Sequence, residues 1–209
     1  MTSLTSTLQS NAAPVAVLEE GTTLRASLVL TVVILVGFGF LYSLAGAALG
    51  RVVFPHQATG SLVAVDGKAR GSEFVAQPFG DARYFQPRPS AANYDPMAAA
   101  GSNLARSNPD LRKRMDELRL AVAQREGIPA GQVPAELITQ SGSGMDPHLS
   151  PAGVQVQIAR VAKARGLESA VVSGLVNANT EPAQYGVLGE PRVNVLKLNI
   201  ALDALQKKS

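Results

Sequence analysis

A run of 25 residues without charge, from Ala26 to Gly50, constrains this chain more than any other feature. As an α-helix the run would be about 37 Å long at about 1.5 Å per residue, whereas a bilayer core is about 30 Å thick. Arg25 and Arg51 bracket the run, as charges at the boundary with water do. The run therefore predicts a transmembrane helix over residues 24–50.

A cleaved signal peptide is the alternative interpretation, because Ala45 to Ala47 has the small-residue pattern of a cleavage site. The apolar run is longer than the roughly 7–15 residues that are usual for such a signal. The segment before it carries Glu19 and Glu20 and no lysine. A retained membrane anchor is therefore favoured over a cleaved signal.

The orientation in the membrane stays open on charge alone. Arg51, Lys68 and Arg70 follow the run, and the positive-inside rule then places the following domain in the cytoplasm. The rule is weak for this chain, because long domains are translocated largely regardless of their charge.

The composition of residues 51–209 excludes several classes of function. This part carries 18 basic and 14 acidic side chains, and the two signs are interspersed along the sequence. A clustered basic surface is typical of nucleic-acid binding, so no nucleic-acid partner is expected. The chain has no cysteine, which excludes disulfides and thiolate metal sites. Its two histidines are far apart in sequence and have no flanking carboxylate cluster, so we expect no metal site.

The chain divides into three predicted parts. Residues 1–23 are rich in Ser, Thr and Ala without periodicity and are expected to form a flexible tail. Residues 24–50 form the transmembrane helix. Residues 51–209 are expected to form a single soluble α+β domain, because strand-like and helix-like patterns follow one another without a low-complexity linker.

Turn and cap residues mark the elements of this soluble domain. Pro55 is expected to break the helix that precedes it. Asp66-Gly67 predicts the turn of a β-hairpin. Asn108 and Pro109 begin a helix that Gly127 ends, and Ser150 and Pro151 begin another that Gly166 ends. A third helix is predicted over 168–177, and 192–205 is expected to start as a strand and end as a helix.

The loop TQSGSGMDPHLSP, residues 139–151, is the main candidate for a functional site. It lacks the third glycine of a dinucleotide-binding fingerprint, and no P-loop pattern is present in the chain. Gly142 and Gly144 allow positive φ and a tight path of the chain. The helix start that follows offers N–H groups to an anion or to a partner's carboxylate. Ser141, Gly142, Ser143, Gly144 and Asp146 are therefore the candidate contacts for an anion, a nucleotide or a partner subunit.

A catalytic role for the same loop is a further alternative. Ser141, Ser143, Asp146 and His148 lie within eight residues, and a membrane-anchored hydrolase would use Ser143 and His148. A catalytic triad usually brings its members together from distant segments, so we expect no catalytic residue in this chain. Asp146 is expected to cap the following helix rather than to bind a cation.

Two glycines of the membrane run, Gly46 and Gly50, are four residues apart and share one helix face. Small residues at this spacing allow close approach of another helix, so these glycines are the candidate packing surface within the membrane.

Seven blocks of the sequence, in order, resemble the KdpC family, the C subunit of bacterial Kdp potassium-transporting ATPases. The blocks are FPHQATGSLV, GSEFVAQPF, YFQPRPSA, GSNLARSNP, SGSGMDPHLSP, QIARVAKARGL and GEPRVNVLKLNIALD. The resemblance covers about residues 24–206.

The resemblance implies a non-catalytic, single-pass subunit of the bacterial inner membrane, with a cytoplasmic N-terminus and a periplasmic main domain. Its partners would be a channel-like potassium subunit, a catalytic P-type ATPase subunit, a small fourth subunit and the membrane lipid. The complex would import K⁺ at the expense of ATP hydrolysis. This chain would hold neither K⁺ nor ATP as a firmly bound cofactor.

The resemblance also implies a need for this subunit in assembly, and a role as a catalytic chaperone that raises the ATP affinity of the ATP-hydrolysing subunit. ATP is cytoplasmic, so a periplasmic domain can act on it only indirectly, through the anchor helix. The alternative is a domain that faces the cytoplasm and contacts the nucleotide directly.

Overall fold

One long apolar helix forms the first part of the structure. The computed structural model describes residues 20–206, with side chains from residue 23 onward. Helix α1 covers Glu20–Ile34, a π-helical stretch covers Leu35–Tyr42, and α2 covers Ser43–Val53. Together they include a 31-residue apolar span, Thr23–Val53, that is long enough to cross a bilayer. The helix predicted over 24–50 is thus present and extends further at both ends, whereas residues 1–19 of the predicted tail lie outside the described residues.

The break predicted at Pro55 falls just before it. Helix α2 ends at Val53, and Phe54 leaves the helical region with φ −131° and ψ 62°. Pro55 then begins a single-turn helix, α3 (Pro55–Ala58), as a proline can at the first position of a helix. The chain divides into two compact units after Ala58, and the second unit begins at Thr59.

The second unit opens with the predicted β-hairpin. Strands β1 (Leu62–Val65) and β2 (Lys68–Ser72) pair antiparallel, with Val65 opposite Lys68. Asp66 and Gly67 connect them with φ of 53° and 73°. Two consecutive residues at positive φ form the tight turn that matches the twist of a two-stranded ribbon, which is why Asp-Gly is favoured there.

Helices make up most of the remaining regular secondary structure. Helix α4 (Pro109–Glu126) begins where predicted, because the Asn108 side chain accepts a hydrogen bond from the Asp110 amide at 2.8 Å. The later helices are α5 (Pro151–Gln155), α6 (Ile158–Arg165), α7 (Ser169–Ala178) and α8 (Val195–Gln206). A small antiparallel sheet of order β3-β5-β4 packs against α5 and α8, and its strands are His148–Leu149 (β3), Arg192–Asn194 (β5) and Thr180–Glu181 (β4). The architecture is the predicted α+β class.

The single helix predicted between Ser150 and Gly166 is interrupted. Its two parts, α5 and α6, are separated at Gln157, whose amide bonds back to the Val154 carbonyl at 3.0 Å. The Gln157 carboxamide is fully buried and donates to the carbonyl oxygens of Gly153 (3.0 Å) and Gln86 (3.1 Å). A side chain held by both the helix and a distant loop thus accompanies the interruption.

The hydrophobic core lies between these helices and the small sheet. Phe85 comes from an irregular segment and is fully buried among residues of α4, α6, α7 and α8. The largest fully buried aliphatic members of this core are Leu149, Val154, Val161, Val172, Val193, Val195, Leu198 and Leu202. The core anchors β3 through Leu149, and so fixes the end of the candidate loop.

Candidate functional site

The candidate loop, residues 139–151, is held in place by backbone hydrogen bonds to distant segments. The Ala76 amide donates to the Met145 carbonyl at 3.0 Å, and the Val195 amide donates to the Pro147 carbonyl at 2.9 Å. These two bonds connect the loop to the segment after β2 and to the start of α8. The loop is therefore an ordered connection within the domain.

Only one of the two loop glycines adopts the positive φ that glycine allows. Gly144 has φ 73°, and a Cβ there would lie 2.7 Å from the Ala100 carbonyl oxygen. Gly142 does not use this freedom, because it is not in the positive-φ region. The Gly142 backbone instead packs closely on Gly101, where an added Cβ would lie 3.0 Å from the Gly142 carbonyl oxygen. The backbone of the loop is therefore in close contact with the backbone of residues 100–101.

Asp146 is bound by two groups. Its Oδ2 accepts a hydrogen bond from Arg88 Nη1 at 3.0 Å, and its Oδ1 accepts one from the His148 amide at 3.0 Å. The His148 ring nitrogen Nδ1 lies 3.7 Å from the same Oδ1. Asp146 thus closes the local turn, and it does not cap α5 as expected, because Ser150 occupies that position.

The electrostatic surroundings of Asp146 favour its charged form. Burial alone would raise the pKa of this carboxyl, but hydrogen bonds from His148 and Arg88 and the charge of Arg88 lower the pKa to about 2. The carboxylate and the guanidinium neutralise each other, and both are only partly exposed. The pair joins the loop to residue 88 of a segment that precedes α4.

Three buried polar atoms at the loop have no hydrogen-bond partner in the described chain. They are the Ser141 hydroxyl, the Gln140 side-chain oxygen and the Nε of Arg88. Most buried polar atoms in proteins have a hydrogen-bond partner, so each of these three atoms has hydrogen-bonding capacity that water or a bound group can use. Ser143 differs from Ser141, because its hydroxyl accepts a bond from the Met145 amide at 3.1 Å.

The start of α5 already holds a carboxylate. The Ser150 hydroxyl accepts a hydrogen bond from the Gly153 amide at 3.2 Å, as predicted for its capping role. The Glu136 carboxylate accepts from the Ser150 amide at 3.1 and 3.2 Å. A side chain at Gly153 would overlap Glu136. Glu136 thus occupies the place that a bound anion would take, which argues against the anion capacity expected at this helix end.

The structure does not bring the alternative hydrolase residues into a catalytic arrangement. Within the described chain no hydrogen bond joins Ser141 or Ser143 to His148, and the ring faces Asp146 instead. Among residues 20–206 there is also no group of three His, Asp or Glu side chains that could hold a metal ion.

A buried polar network near the core was not predicted. The Glu126 carboxylate has no exposed surface and pairs with Arg125 Nε at 2.6 Å and Arg160 Nε at 2.8 Å. The Asn199 side-chain oxygen accepts a hydrogen bond from the Phe85 backbone amide, and its side-chain nitrogen donates one to the Phe85 carbonyl, each at 2.9 Å. These groups fix the segment 82–88, which ends at the Arg88 partner of Asp146.

The second candidate surface lies on the apolar helix. Gly46 and Gly50 lie in α2, where a Cβ added at either would meet nothing within 4 Å. The 18-residue apolar window of this helix has no buried part. The glycine face is therefore open within the isolated chain.

Comparisons with known proteins give a consistent result. The family model "KdpC: K+-transporting ATPase, c chain" matches residues 24–204. The chain is 61% identical over 186 residues to the "Potassium-transporting ATPase KdpC subunit" of Xanthomonas oryzae pv. oryzae, which covers 89% of each chain. Proteins of the same name from Shewanella putrefaciens and Methylococcus capsulatus are 50% and 49% identical. Those alignments cover 88% and 80% of this chain, and 90% of each relative.

Proposed function

The chain belongs to the KdpC family of K⁺-transporting ATPase subunits, and on that premise we propose that it is a non-catalytic assembly subunit of an ATP-driven potassium import complex. ATP hydrolysis belongs to a P-type partner subunit, and K⁺ passes through a channel-like partner. A small fourth subunit completes the complex. The chain is held in the bacterial inner membrane by the apolar helix Thr23–Val53.

The exposure of this helix is the observation that carries the proposal. The most apolar 18-residue window of the helix Thr23–Val53 has a mean hydropathy of 2.5 and no buried part, so lipid and partner helices are expected to cover it. Small residues on one face favour helix–helix contact in a bilayer, and Gly46 and Gly50 provide such a face.

The arrangement of the candidate loop favours contact with a partner subunit over nucleotide binding or catalysis. Two carboxylates, Asp146 and Glu136, lie at the positions where a phosphate would need donors. Direct binding of ATP at Ser141 to Asp146 is therefore disfavoured, because the two carboxylates already occupy the donors of Arg88, His148 and Ser150. The loop is firmly held, and its exposed edge at Gly142 and Ser143 can contact a partner subunit.

An effect on ATP affinity is then indirect. With the N-terminus in the cytoplasm and the main domain in the periplasm, ATP and the loop lie on opposite sides of the bilayer. The subunit raises ATP affinity by favouring one conformation of the catalytic subunit, through packing of the anchor helix against it. A direct contact between nucleotide and loop requires the opposite orientation.

Co-purification tests assembly. Affinity capture of the tagged chain from membranes is expected to recover the other subunits together with K⁺-stimulated ATPase activity, while the chain alone hydrolyses no ATP. Recovery of the chain without partners contradicts the assembly role. ATPase activity of the isolated chain that is lost in Ser143→Ala would instead establish the hydrolase alternative.

Protease accessibility tests the orientation. In intact spheroplasts, added protease is expected to digest the main domain. In the assembled complex, Ser143→Ala and Asp146→Asn are expected to leave the KM for ATP within about twofold of wild type, because neither residue contacts ATP. Protection of the domain, with a KM raised about tenfold or more in both variants, would support direct nucleotide contact.

A further inference from the structure

A cavity of about 480 Å³ lies in the second unit, away from the candidate loop. It is bounded by the end of the β1–β2 hairpin, by the segment around Phe79 and Tyr84, and by one face of α8. This volume falls within the range of about 300–1,000 Å³ that is typical of small-molecule sites. Its apolar lining comes from Val65, Phe79, Tyr84, Leu196, Ile200 and Ala204.

The walls of this cavity are fixed by specific contacts. Tyr84 donates its hydroxyl hydrogen bond to Asp203 Oδ2 at 3.1 Å, and the Arg165 guanidinium lies 4.8 Å from the centre of the Tyr84 ring. The Gln77 carboxamide donates to the Arg70 carbonyl at 3.1 Å, which joins the hairpin to the facing segment. A side chain at Gly71 would overlap the end of the Gln77 side chain, so the hairpin and this carboxamide lie in close contact. The cavity is therefore largely preformed.

Among the described residues that line the cavity, one cationic side chain, that of Arg70, has no bonded acceptor. Asp203 is neutralised by Arg165 Nη2 at 2.7 Å, and Asp66 has an interaction partner within the chain. The exposed Arg70 guanidinium lines the cavity, and no acceptor among residues 23–206 is bonded to it. A guanidinium presents a planar set of donors that matches a carboxylate or a phosphate. An apolar cavity beside such a group fits a molecule with an apolar body and an anionic head.

We propose that this cavity binds a small anionic amphiphile, with its hydrocarbon part between Tyr84 and α8 and its carboxylate or phosphate on Arg70. The proposal does not depend on the assembly function, because binding by the isolated chain requires no partner subunit.

Equilibrium dialysis tests the proposal with the full chain in nanodiscs of zwitterionic phosphatidylcholine, and with empty nanodiscs as the blank. The probes are octanoate, octyl phosphate and octylamine, which share one chain length and differ in head group. Octanoate and octyl phosphate are expected to bind saturably above the blank. Octylamine is expected to bind at least about tenfold more weakly, because it offers no acceptor to Arg70. Comparison of the two anions distinguishes a carboxylate source from a phosphate source.

Two variants and one control locate the binding. Arg70→Gln removes the charge on an exposed residue, and Ala204→Phe fills the cavity from α8. Each is expected to weaken octanoate binding at least about tenfold, whereas Arg112→Gln, an exposed arginine on α4, leaves it unchanged. Thermal unfolding of each variant checks that the fold is intact.

Three results would overturn the proposal. They are no saturable binding of either anion, equal binding of octylamine, or binding that Arg70→Gln and Ala204→Phe leave unchanged. Loss of co-purification with partner subunits in Ala204→Phe, without any binding of octanoate to wild type, would also overturn it and would assign the cavity to a partner chain.

Discussion

At the scale of single residues, the charge of Asp146 stabilises the candidate loop. Its pKa is lowered to about 2, below the ordinary value of 3.8, so the folded state binds this proton more weakly than the unfolded state. The stabilisation is therefore complete above about pH 4 and is lost as the pH falls toward 2. Asp146→Asn keeps the shape and removes the charge.

This variant is expected to lose about 1–2 kcal/mol at pH 7, after allowance for partial exposure of the pair. The corresponding fall in Tm is about 2–8 °C for a chain of this size. Circular dichroism of the detergent-solubilised chain measures the difference from wild type, which is expected to shrink between pH 4 and pH 2. Asp116→Asn, on the exposed face of α4, is the matched control with little effect. Normal complex yield with a tenfold loss of K⁺ affinity in Asp146→Asn would contradict this structural role.

The two loop glycines provide a second comparison between residues. Gly144→Ala is expected to destabilise the chain by about 1–3 kcal/mol, because it combines positive φ with a contact of 2.7 Å to the Ala100 carbonyl oxygen. Gly142→Ala has open space and ordinary φ, so its stability is expected to stay within about 0.5 kcal/mol of wild type. Thermal unfolding of the two variants side by side measures this difference. Equal losses of stability in the two variants would show that the flexibility of the loop determines the effect, and not the positive φ of Gly144.

At the scale of elements, one carboxamide of α8 holds an irregular segment against the core. Asn199→Ala leaves the buried amide and carbonyl of Phe85 without partners, and we expect a loss of about 2–4 kcal/mol. Asn177→Ala, on the exposed face of α7, is the control with an effect below about 0.5 kcal/mol. Urea unfolding monitored by circular dichroism measures both. A small effect of Asn199→Ala would mean that water replaces the carboxamide.

Elements with local signals were predictable from the sequence, whereas the contacts between them were not. The hairpin turn at Asp66-Gly67 and the start of α4 at Asn108 depend on residues close in sequence, and the structure confirms both. The interruption at Gln157 accompanies a bond to Gln86, 71 residues away, and Asp146 bonds Arg88 across 58 residues. Capping residues and hydrophobic periodicity carry no information about such distant partners. The sequence therefore did not reveal that Arg88 pairs with Asp146 of the loop.

At the scale of the whole molecule, the anchor helix determines whether the chain enters a complex. Gly46 and Gly50 lie 40° apart around an ideal helix of 100° per residue, so both face one side, whereas Ala48 lies on the opposite side. Gly46→Leu combined with Gly50→Leu adds bulk to that face and leaves the helix hydrophobic, so insertion into the membrane is expected to be unchanged. Close helix approach is lost, and complex recovered after detergent extraction is expected to fall at least about tenfold.

Ala48→Leu adds the same kind of side chain to the other side of the helix and is the matched control, with normal recovery expected. Affinity capture of the tagged chain, with quantification of each partner subunit, measures assembly, and the amount of chain in the membrane fraction measures insertion. Reduced recovery confined to the double glycine variant would identify the packing face. A leucine pair on a close-packed helix face cannot be accommodated without separation of the helices. Intact complex in the double glycine variant would therefore show that this face is not closely packed, and that the soluble domain supplies the assembly contacts.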